Sequence, residues 1–241
     1  MNTELFKEGM KQLKAEISER QTEQFLKYSK LLVEWNEKMN LTAVTDPGGI
    51  AVKHFLDSVL PLYAIDFTKC KSLADIGTGA GFPGLPMKIM RPNFELTLVD
   101  SLNKRINFLN EVTDALELKN VTCIHARAEE LGRDAGYREK FDAVVSRAVA
   151  NMTVLCEYCM PFVAVGGMFV GLKAENSADE LDSSRTMIKT LGGEVEDKLS
   201  VPLPMSDITR ELIVIRKVSE TPKRFPRRAD KIKKSALGNR K

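Results

Sequence analysis

The stretch SLADIGTGAGFPGLP, residues 72–86, decides how the rest of the chain is read. An apolar run with an acidic residue, Asp75, near its end gives way to glycines at 77, 79, 81 and 84. A strand that runs straight into a glycine-rich turn and then a helix opens a parallel sheet that binds its ligand beyond the carboxyl ends of its strands. The offset Gly79-x-Gly81-x-x-Gly84 matches a dinucleotide fingerprint, but a lone match is weak. Counted from the first glycine of the turn, Gly77, the series D-I-G-T-G-A-G-F-P-G brings the third glycine one residue too early. Asp75 also sets a carboxylate where a pyrophosphate would lie, and no G-K-[ST] follows to make a triphosphate loop.

Outward from this loop the chain has two rhythms. Downstream, short apolar runs (FELTLVD, VTCIHA, FDAVVSRA, GMFVGLKA) alternate with helical stretches such as LNKRINFLNEVTDALEL and ADELDSSRTMIKTLG. That alternation predicts a doubly wound α/β sheet covered on both faces. EVEDKLSVPLP and RELIVIRKVS have no helix between them, so the final strand is expected to be antiparallel to its neighbour. Upstream the pattern is helical. Phe25, Tyr28, Leu31, Leu32, Trp35 and Met39 recur at spacings of three and four, and a further helix, IAVKHFLDSVLPLYAI, carries Pro61 near its end. The expected divisions are a helical cap over 1–66, a sheet domain over 67–219 and a basic tail over 220–241.

The 241 residues are 43% hydrophobic and 29% charged, the make-up of a soluble globular chain, and no apolar run reaches the roughly 20 residues of a membrane span. The charged start, MNTELFKEGMKQLK, is not a signal peptide, and a cytoplasmic monomer is expected. The four cysteines form no disulfide framework, and with only two histidines no metal site is expected. Cys156 and Cys159 read as one buried helix face. Residues 222–241 hold nine Lys or Arg and one Asp, which leaves a net −5 on the rest of a +3 chain. An acidic body with a basic tail points to a polyanion partner, or else to a plain solvated terminus.

The loop chemistry suits S-adenosylmethionine, which has no phosphate but carries a sulfonium and an ammonium. Asp75 can meet the ammonium, and Gly77 and Gly79 let the backbone approach the adenosine. Asp100, ending the next strand, offers an acceptor to two ribose hydroxyls, although Asp100 or Ser101 can equally cap a helix. After the third strand, Ala128 and Glu129 either receive an adenine edge or, for Glu129, face solvent on a surface helix. The fourth strand ends Ser146-Arg147. There is no Asn/Asp-Pro-Pro-aromatic clamp for an exocyclic amine, no Pro-Cys nucleophile and no Asp–Lys pair for a ribose hydroxyl. An acceptor with a free lone pair, such as purine N7, needs no catalytic base. Arg147 is then a candidate positioning residue, holding phosphate or the methionine carboxylate.

WNEKMNLTAV, HFLDSV, LADIGTGAGFPGLPMKI with LVDSLNKRINFL, and VVSRAVA resemble the RsmG (GidB) methyltransferases, which act on N7 of a guanine in bacterial 16S rRNA. The resemblance covers roughly residues 20–226. It implies a class I, Rossmann-like methyltransferase sheet behind an N-terminal helical cap. It also implies cofactor contacts at Gly77 and Phe82, around Asp100, Ser101 and Leu102, at Ala128 and Glu129, and at Arg147. The tail departs from the family ending, with Phe225 for a tyrosine and Ala229-Asp230 where a glycine is expected. Lys53, Lys104, Arg105, Lys173, Arg224, Arg227 and Arg228 are expected to neutralise phosphates of 16S rRNA or a 30S particle. Phe82, Trp35 or Phe55 would stack on the target base. His54 and Asp57 either pack the cap or line the cleft. Removing residues 222–241 is expected to weaken RNA binding and leave cofactor affinity intact. The alternatives are a ribosome assembly factor that keeps a cofactor site, or a methyltransferase with another substrate.

Overall fold

The computed structural model describes residues 1–147, 150–175 and 177–232; the end of the basic tail and Ala148-Val149 of VVSRAVA lie outside them. Seven strands form one sheet: β1 (Ser72–Ile76), β2 (Glu95–Asp100), β3 (Val121–His125), β4 (Phe141–Arg147), β5 (Val163–Ala174), β6 (Gly193–Pro202) and β7 (Thr209–Lys217). Their order is β3-β2-β1-β4-β5-β7-β6. The first five are parallel, and β7 runs antiparallel to both β5 and β6. The order reverses at β1, where Asp75 lies opposite Leu98 of β2 on one side and Val145 of β4 on the other. The glycine loop therefore leaves the sheet at its switch point.

The period-two alternation of the strands assigns the two faces. Leu73, Leu96, Leu98, Ala143, Val145, Val170 and Leu172 join one apolar cluster, with the cap, α5 (Gly84–Met90) and α6 (Asn103–Ala115). Ala74, Ile76, Val99, Val144, Phe169 and Ile213 join the other, with α7 (Ala128–Leu131), α8 (Met152–Cys159) and α9 (Ala178–Thr190). Both faces are covered, which is why the strands read as near-continuous apolar runs.

The cap is built from α1 (Thr3–Gln12), α2 (Glu19–Met39) and a continuous helical run. That run begins as α3 (Pro47–Gly49), widens into a π-helical stretch at Ile50–Leu56, tightens through α4 (Asp57–Val59) and ends in a 3₁₀ turn at Leu60–Tyr63. Pro61 sits at the start of that last turn, where its missing N–H costs least. Ser18 and Gln21 close a capping box at the start of α2, and the Gln21 amide also donates to the Ile89 carbonyl of α5 at 2.9 Å. Among the described residues no helix is long and apolar enough to cross a membrane.

An aromatic cluster joins cap to sheet. The Phe55 ring lies 4.9 Å from Phe25, 5.3 Å from Tyr28 and 6.0 Å from Phe82, and Phe6 is 4.7 Å from Phe25. Phe55 is fully buried. A Phe55→Ala substitution should cost about 3–5 kcal/mol of stability in urea unfolding, the usual range for an aromatic cavity. A loss below about 1 kcal/mol would mean that the cap is not part of the cooperative core.

Candidate active site

The loop after β1 is held from below by Asp75. The carboxylate is wholly buried, and its Oδ2 accepts from the Thr78 hydroxyl at 2.7 Å and from the Gly84 N–H at 2.8 Å. One side chain thus ties the two ends of the loop together. An added Cβ at Gly84 would lie 2.7 Å from Leu98 Cδ2 and 2.9 Å from Asp75 Oδ2, so only glycine permits this approach. Asp75 Oδ1 is buried with no hydrogen-bond partner. This corrects the expectation of a carboxylate open to a ligand: Asp75 lies under the loop, and its charge reaches the ligand site from beneath. Burial raises its pKa to about 6, against the lowering effect of the Thr78 and Gly84 hydrogen bonds and of Arg147.

Asp100, at the tip of β2, holds the loop from the side. Its Oδ2 accepts from the Gly79 N–H at 2.9 Å, and its Oδ1 from the Leu102 N–H at 2.9 Å. A cavity of about 290 Å³ opens here, lined by Ile76, Gly77, Asp100, Ser101, Ala128 and Glu129 and also by Leu155, Tyr158 and Ala229. Glu129 lines this wall, with a side chain only 11% exposed and Arg127 3.9 Å away, so it does not face solvent on a surface helix. Arg105 is corrected as well. Expected on the RNA face, it lines the cavity and pairs with Asp100 at 3.2 Å. The backbone of Ser101 and Leu102 follows the carboxylate, and the exposed Leu102 side chain points away from the core. The lining fits S-adenosylmethionine: the Asp100 and Glu129 carboxylates, the Gly77 backbone and half-buried apolar walls.

Phe82 is not among the residues that line this cavity. Its ring stacks on His54 (centroids 4.7 Å apart, 12° between planes) and on Tyr28 (5.5 Å, 22°), with the Arg147 guanidinium 5.0 Å from its centroid. The ring belongs to the junction of cap and loop. The Tyr28 hydroxyl donates to the Ala80 carbonyl, fixing the loop to α2.

A second cavity, about 600 Å³, opens beyond the tip of β4, lined by Lys53, His54, Asp57, Arg147, Lys173, Glu175, Glu180 and Arg210. Arg147, expected to touch the cofactor, instead donates to Asp57 Oδ2 at 3.0 Å, to the Ser58 hydroxyl at 3.2 Å and to the Lys53 carbonyl at 3.2 Å. Asp57 is 1% exposed, and its Oδ1 also accepts from Arg210 Nε at 2.7 Å. One buried carboxylate between two guanidiniums bolts the cap to β4 and β7. His54, from the π-helical stretch, places Nε2 2.8 Å from the Thr42 hydroxyl, while Nδ1 is buried without a partner. Burial, then Arg147, pushes its pKa down to about 4 against the opposing pull of Asp57, so the imidazole is neutral near pH 7. Of the two readings for His54 and Asp57, the structure supports both at once: they pack the cap, and they line the cleft.

The remaining cations divide. Lys53, Lys104, Arg224 and Arg228 are exposed. Lys173 pairs with Glu180 at 2.7 Å and donates to the Ala150 carbonyl, and Arg227 pairs with Glu157 at 2.6 Å, so these two are held inside the protein. None of the three stacking candidates presents a bare ring. Phe55 and Phe82 are buried, and Trp35 packs on Phe108 while its Nε1 donates to Glu111 at 3.0 Å. Cys156 and Cys159 are fully buried on α8, as the sequence suggested, with burial pushing both thiols up. Sequence reasoning missed Tyr158 and Ala229 at the first cavity and Arg210 at the second. Arg210 had one available signal, its place at the start of a strand whose direction was read correctly.

The raised Asp75 pKa has a signed consequence. The folded chain holds this proton up to about pH 6 and the unfolded chain only to about 3.8, so the contribution is full below 3.8 and lost as pH rises through 6. The stability of wild type minus that of Asp75→Asn should fall by roughly 3 kcal/mol between pH 3.5 and 7. Urea midpoints across that range measure it, and a flat difference would place Asp75 at an ordinary pKa.

Comparison with known proteins bears on the family and the fold. The family model described as GidB, rRNA small subunit methyltransferase G, matches residues 21–207. A protein of Exiguobacterium sibiricum named ribosomal RNA small subunit methyltransferase G is 47% identical over 238 residues, 99% of this chain and all of that one. Its namesake in Bacillus subtilis is 45% identical over 237 residues, 98% and 99% of the two chains. Two solved structures share the fold at low identity. TrmN from Thermus thermophilus has a TM-score of 0.51 and 15% identity, over 70% of this chain and 53% of that one. A putative RNA methyltransferase from Pyrococcus horikoshii has a TM-score of 0.52 and 13% identity, over 72% and 87%. A doubly wound sheet with a braced glycine loop at its switch point, and a family match over most of the length, make one statement: the chain belongs to the GidB family of small-subunit rRNA methyltransferases.

Proposed function

We propose that this S-adenosylmethionine-dependent rRNA methyltransferase methylates N7 of a guanine in 16S rRNA by direct in-line displacement, with the first cavity as cofactor site and the second as acceptor site. S-adenosylmethionine supplies a methyl group on a positively charged sulfur, a centre that a free lone pair attacks without prior loss of a proton. The protein's task is then alignment and exclusion of water. Gly77 and Gly79 bring backbone close to the adenosine, and Asp100 takes the ribose. The backbone at Ala128 and the Glu129 carboxylate flank the adenine. Arg147 and Asp57 fix the edge of the acceptor cavity.

The observation that carries the N7 reading is the state of the buried groups around the second cavity. Asp57 is saturated by Arg147 and Arg210, Glu180 is held by Lys173 and the Met152 N–H, and His54, whose Nδ1 has no partner, is a weak base because its pKa is pushed down to about 4. A proton-bearing acceptor would want one of these groups available as a base, whereas purine N7 needs none. Four cations (Lys53, Arg147, Lys173, Arg210) against three carboxylates (Asp57, Glu175, Glu180) give the cavity a net positive lining, which suits a nucleotide phosphate. In this reading the enzyme works in the cytoplasm as a monomer, on free 16S rRNA or on a 30S particle.

The decisive experiment uses labelled S-adenosylmethionine with 16S rRNA and with 30S particles from cells lacking the enzyme, followed by borohydride reduction and aniline cleavage. One new strand break is expected, because a cationic N7-methylguanine is the site of cleavage. Label incorporated without cleavage would move the acceptor off N7, and no label despite cofactor binding would favour an assembly role or another substrate. Replacing exposed Lys53 by Ala should lower the salt slope of RNA binding by about 0.7, the value for one phosphate contact on a single strand, with cofactor affinity unchanged. An unaltered slope would remove Lys53 from the RNA face.

A further inference from the structure

The C-terminal segment reads from the sequence as an arm independent of the cofactor, yet its first half is folded against the body. Arg138 donates to the carbonyls of Thr221 at 2.6 Å and Phe225 at 2.8 Å, and Arg133 donates to that of Pro226 at 2.6 and 3.0 Å. Phe225 is 6% exposed. Arg227 makes the strongest attachment. Its N–H donates to Glu157 Oε1 at 2.7 Å, its Nε to both carboxylate oxygens at 2.9 and 3.1 Å, and its Nη2 to Oε2 at 2.6 Å. Glu157 is 1% exposed on α8. A carboxylate buried so deeply requires its partner, because left alone it would carry the full cost of its desolvation. The pair therefore fixes the register of the segment on the helix. Residues on both sides of this lock reach the first cavity: Leu155 and Tyr158 from α8, and Ala229, two residues past Arg227.

We propose that the C-terminal segment is a built wall of the cofactor cavity, with Ala229 in the wall and Arg227 as the positioning residue that holds it there, so that cofactor affinity depends on the tail. The inference rests on reading the first cavity as the cofactor site. Ala229 lines the same cavity as Ala128 and Glu129, which flank the adenine in that reading. A small side chain at 229 leaves room for the ring, and a large one fills it. Because the wall is held by side-chain contacts rather than by strand pairing, with the Arg227–Glu157 ion pair the attachment nearest Ala229, its docking and cofactor binding reinforce each other reciprocally. Exposed Arg224 and Arg228 lie on the same segment, so the chain that closes the cofactor cavity also carries basic side chains toward solvent.

The test uses the full chain and S-adenosylhomocysteine as the titrant in calorimetry. Ala229→Trp should weaken binding at least tenfold with little change in the urea midpoint. Arg227→Ala should weaken it severalfold, with partial recovery in Arg227→Lys. In the wild type, saturating S-adenosylhomocysteine should slow amide hydrogen exchange across residues 225–232. Wild-type affinity in Ala229→Trp, or unaltered exchange in that segment at saturation, would overturn the inference while the cofactor site stands. A wild-type chain that does not bind S-adenosylhomocysteine at all would instead remove the cofactor reading, and the wall with it.

Discussion

A carboxylate without access to water sits beneath the glycine loop, and the geometry of the loop depends on it. Desolvating Asp75 costs several kcal/mol, which two hydrogen bonds and the nearby Arg147 only partly offset. What the carboxylate provides is a fixed loop, because Thr78 and Gly84, six residues apart, donate to the same oxygen. Between them Gly79 and Gly81 turn through positive φ, and Gly79 is caught from the other side by Asp100. The loop is therefore preorganised from two strand ends, and its backbone has little left to order when a ligand arrives.

The same cation acts on several of the buried groups nearby. Arg147 lowers the pKa of Asp75, of His54 and of Tyr28, in each case against or alongside a larger desolvation effect. For Asp75 burial raises the pKa and Arg147 opposes it. For His54 burial lowers it and Arg147 adds to the lowering. Their contributions to stability then have opposite slopes. That of Asp75 declines as pH rises from 3.8 through 6, whereas that of His54 is lost as pH falls from 6.5 through 4. Over much of that window the two offset each other, and a neutral imidazole at the second cavity coexists with an ionised Asp75 near pH 7.

How much of this was legible in the sequence follows from how far apart the interacting residues are. The sheet was readable because its signals are local: apolar runs, helical periods, and a missing helix before the last strand. Gly77, Gly79, Asp100, Ala128 and Glu129 stand in or beside the first cavity, because each follows the carboxyl end of a strand and position along a strand is a local property. Arg147 was recognisable as a cation at a strand end and Arg105 only as an RNA-facing cation, and neither one's partner could be read. Asp57 lies 90 residues from Arg147 and 153 from Arg210, and no pattern of period two or 3.6 connects them. Phe82 was placed by resemblance, and its ring turned to the cap because His54 and Tyr28 offer it faces there. The docking of the tail was hidden for another reason. A run of basic residues reads as solvated unless a buried acid is known to await one of them, and Glu157 sits inside an apolar helix with nothing to mark it.

The antiparallel direction of β7 acquires a role once Arg210 is considered. In a parallel sheet every strand delivers its carboxyl end to the ligand edge. β7 runs the other way between β5 and β6, so it delivers its beginning, and Arg210 pairs in register with Ala174 at the end of β5. Run parallel in the same place, the strand would bring Arg216 and Lys217 to the cavity. Lys217 is instead buried at the opposite end, donating to the Met160 carbonyl and pairing with Glu139 at 3.1 Å. With the reversal, one guanidinium reaches Asp57 from β7 while Arg147 reaches it from β4, two strands away with β5 between them. Either arginine alone would leave the buried carboxylate half satisfied. Together they hold the cap in one position over the sheet, and the edge of the second cavity is defined by the strand order that brings them to the same residue.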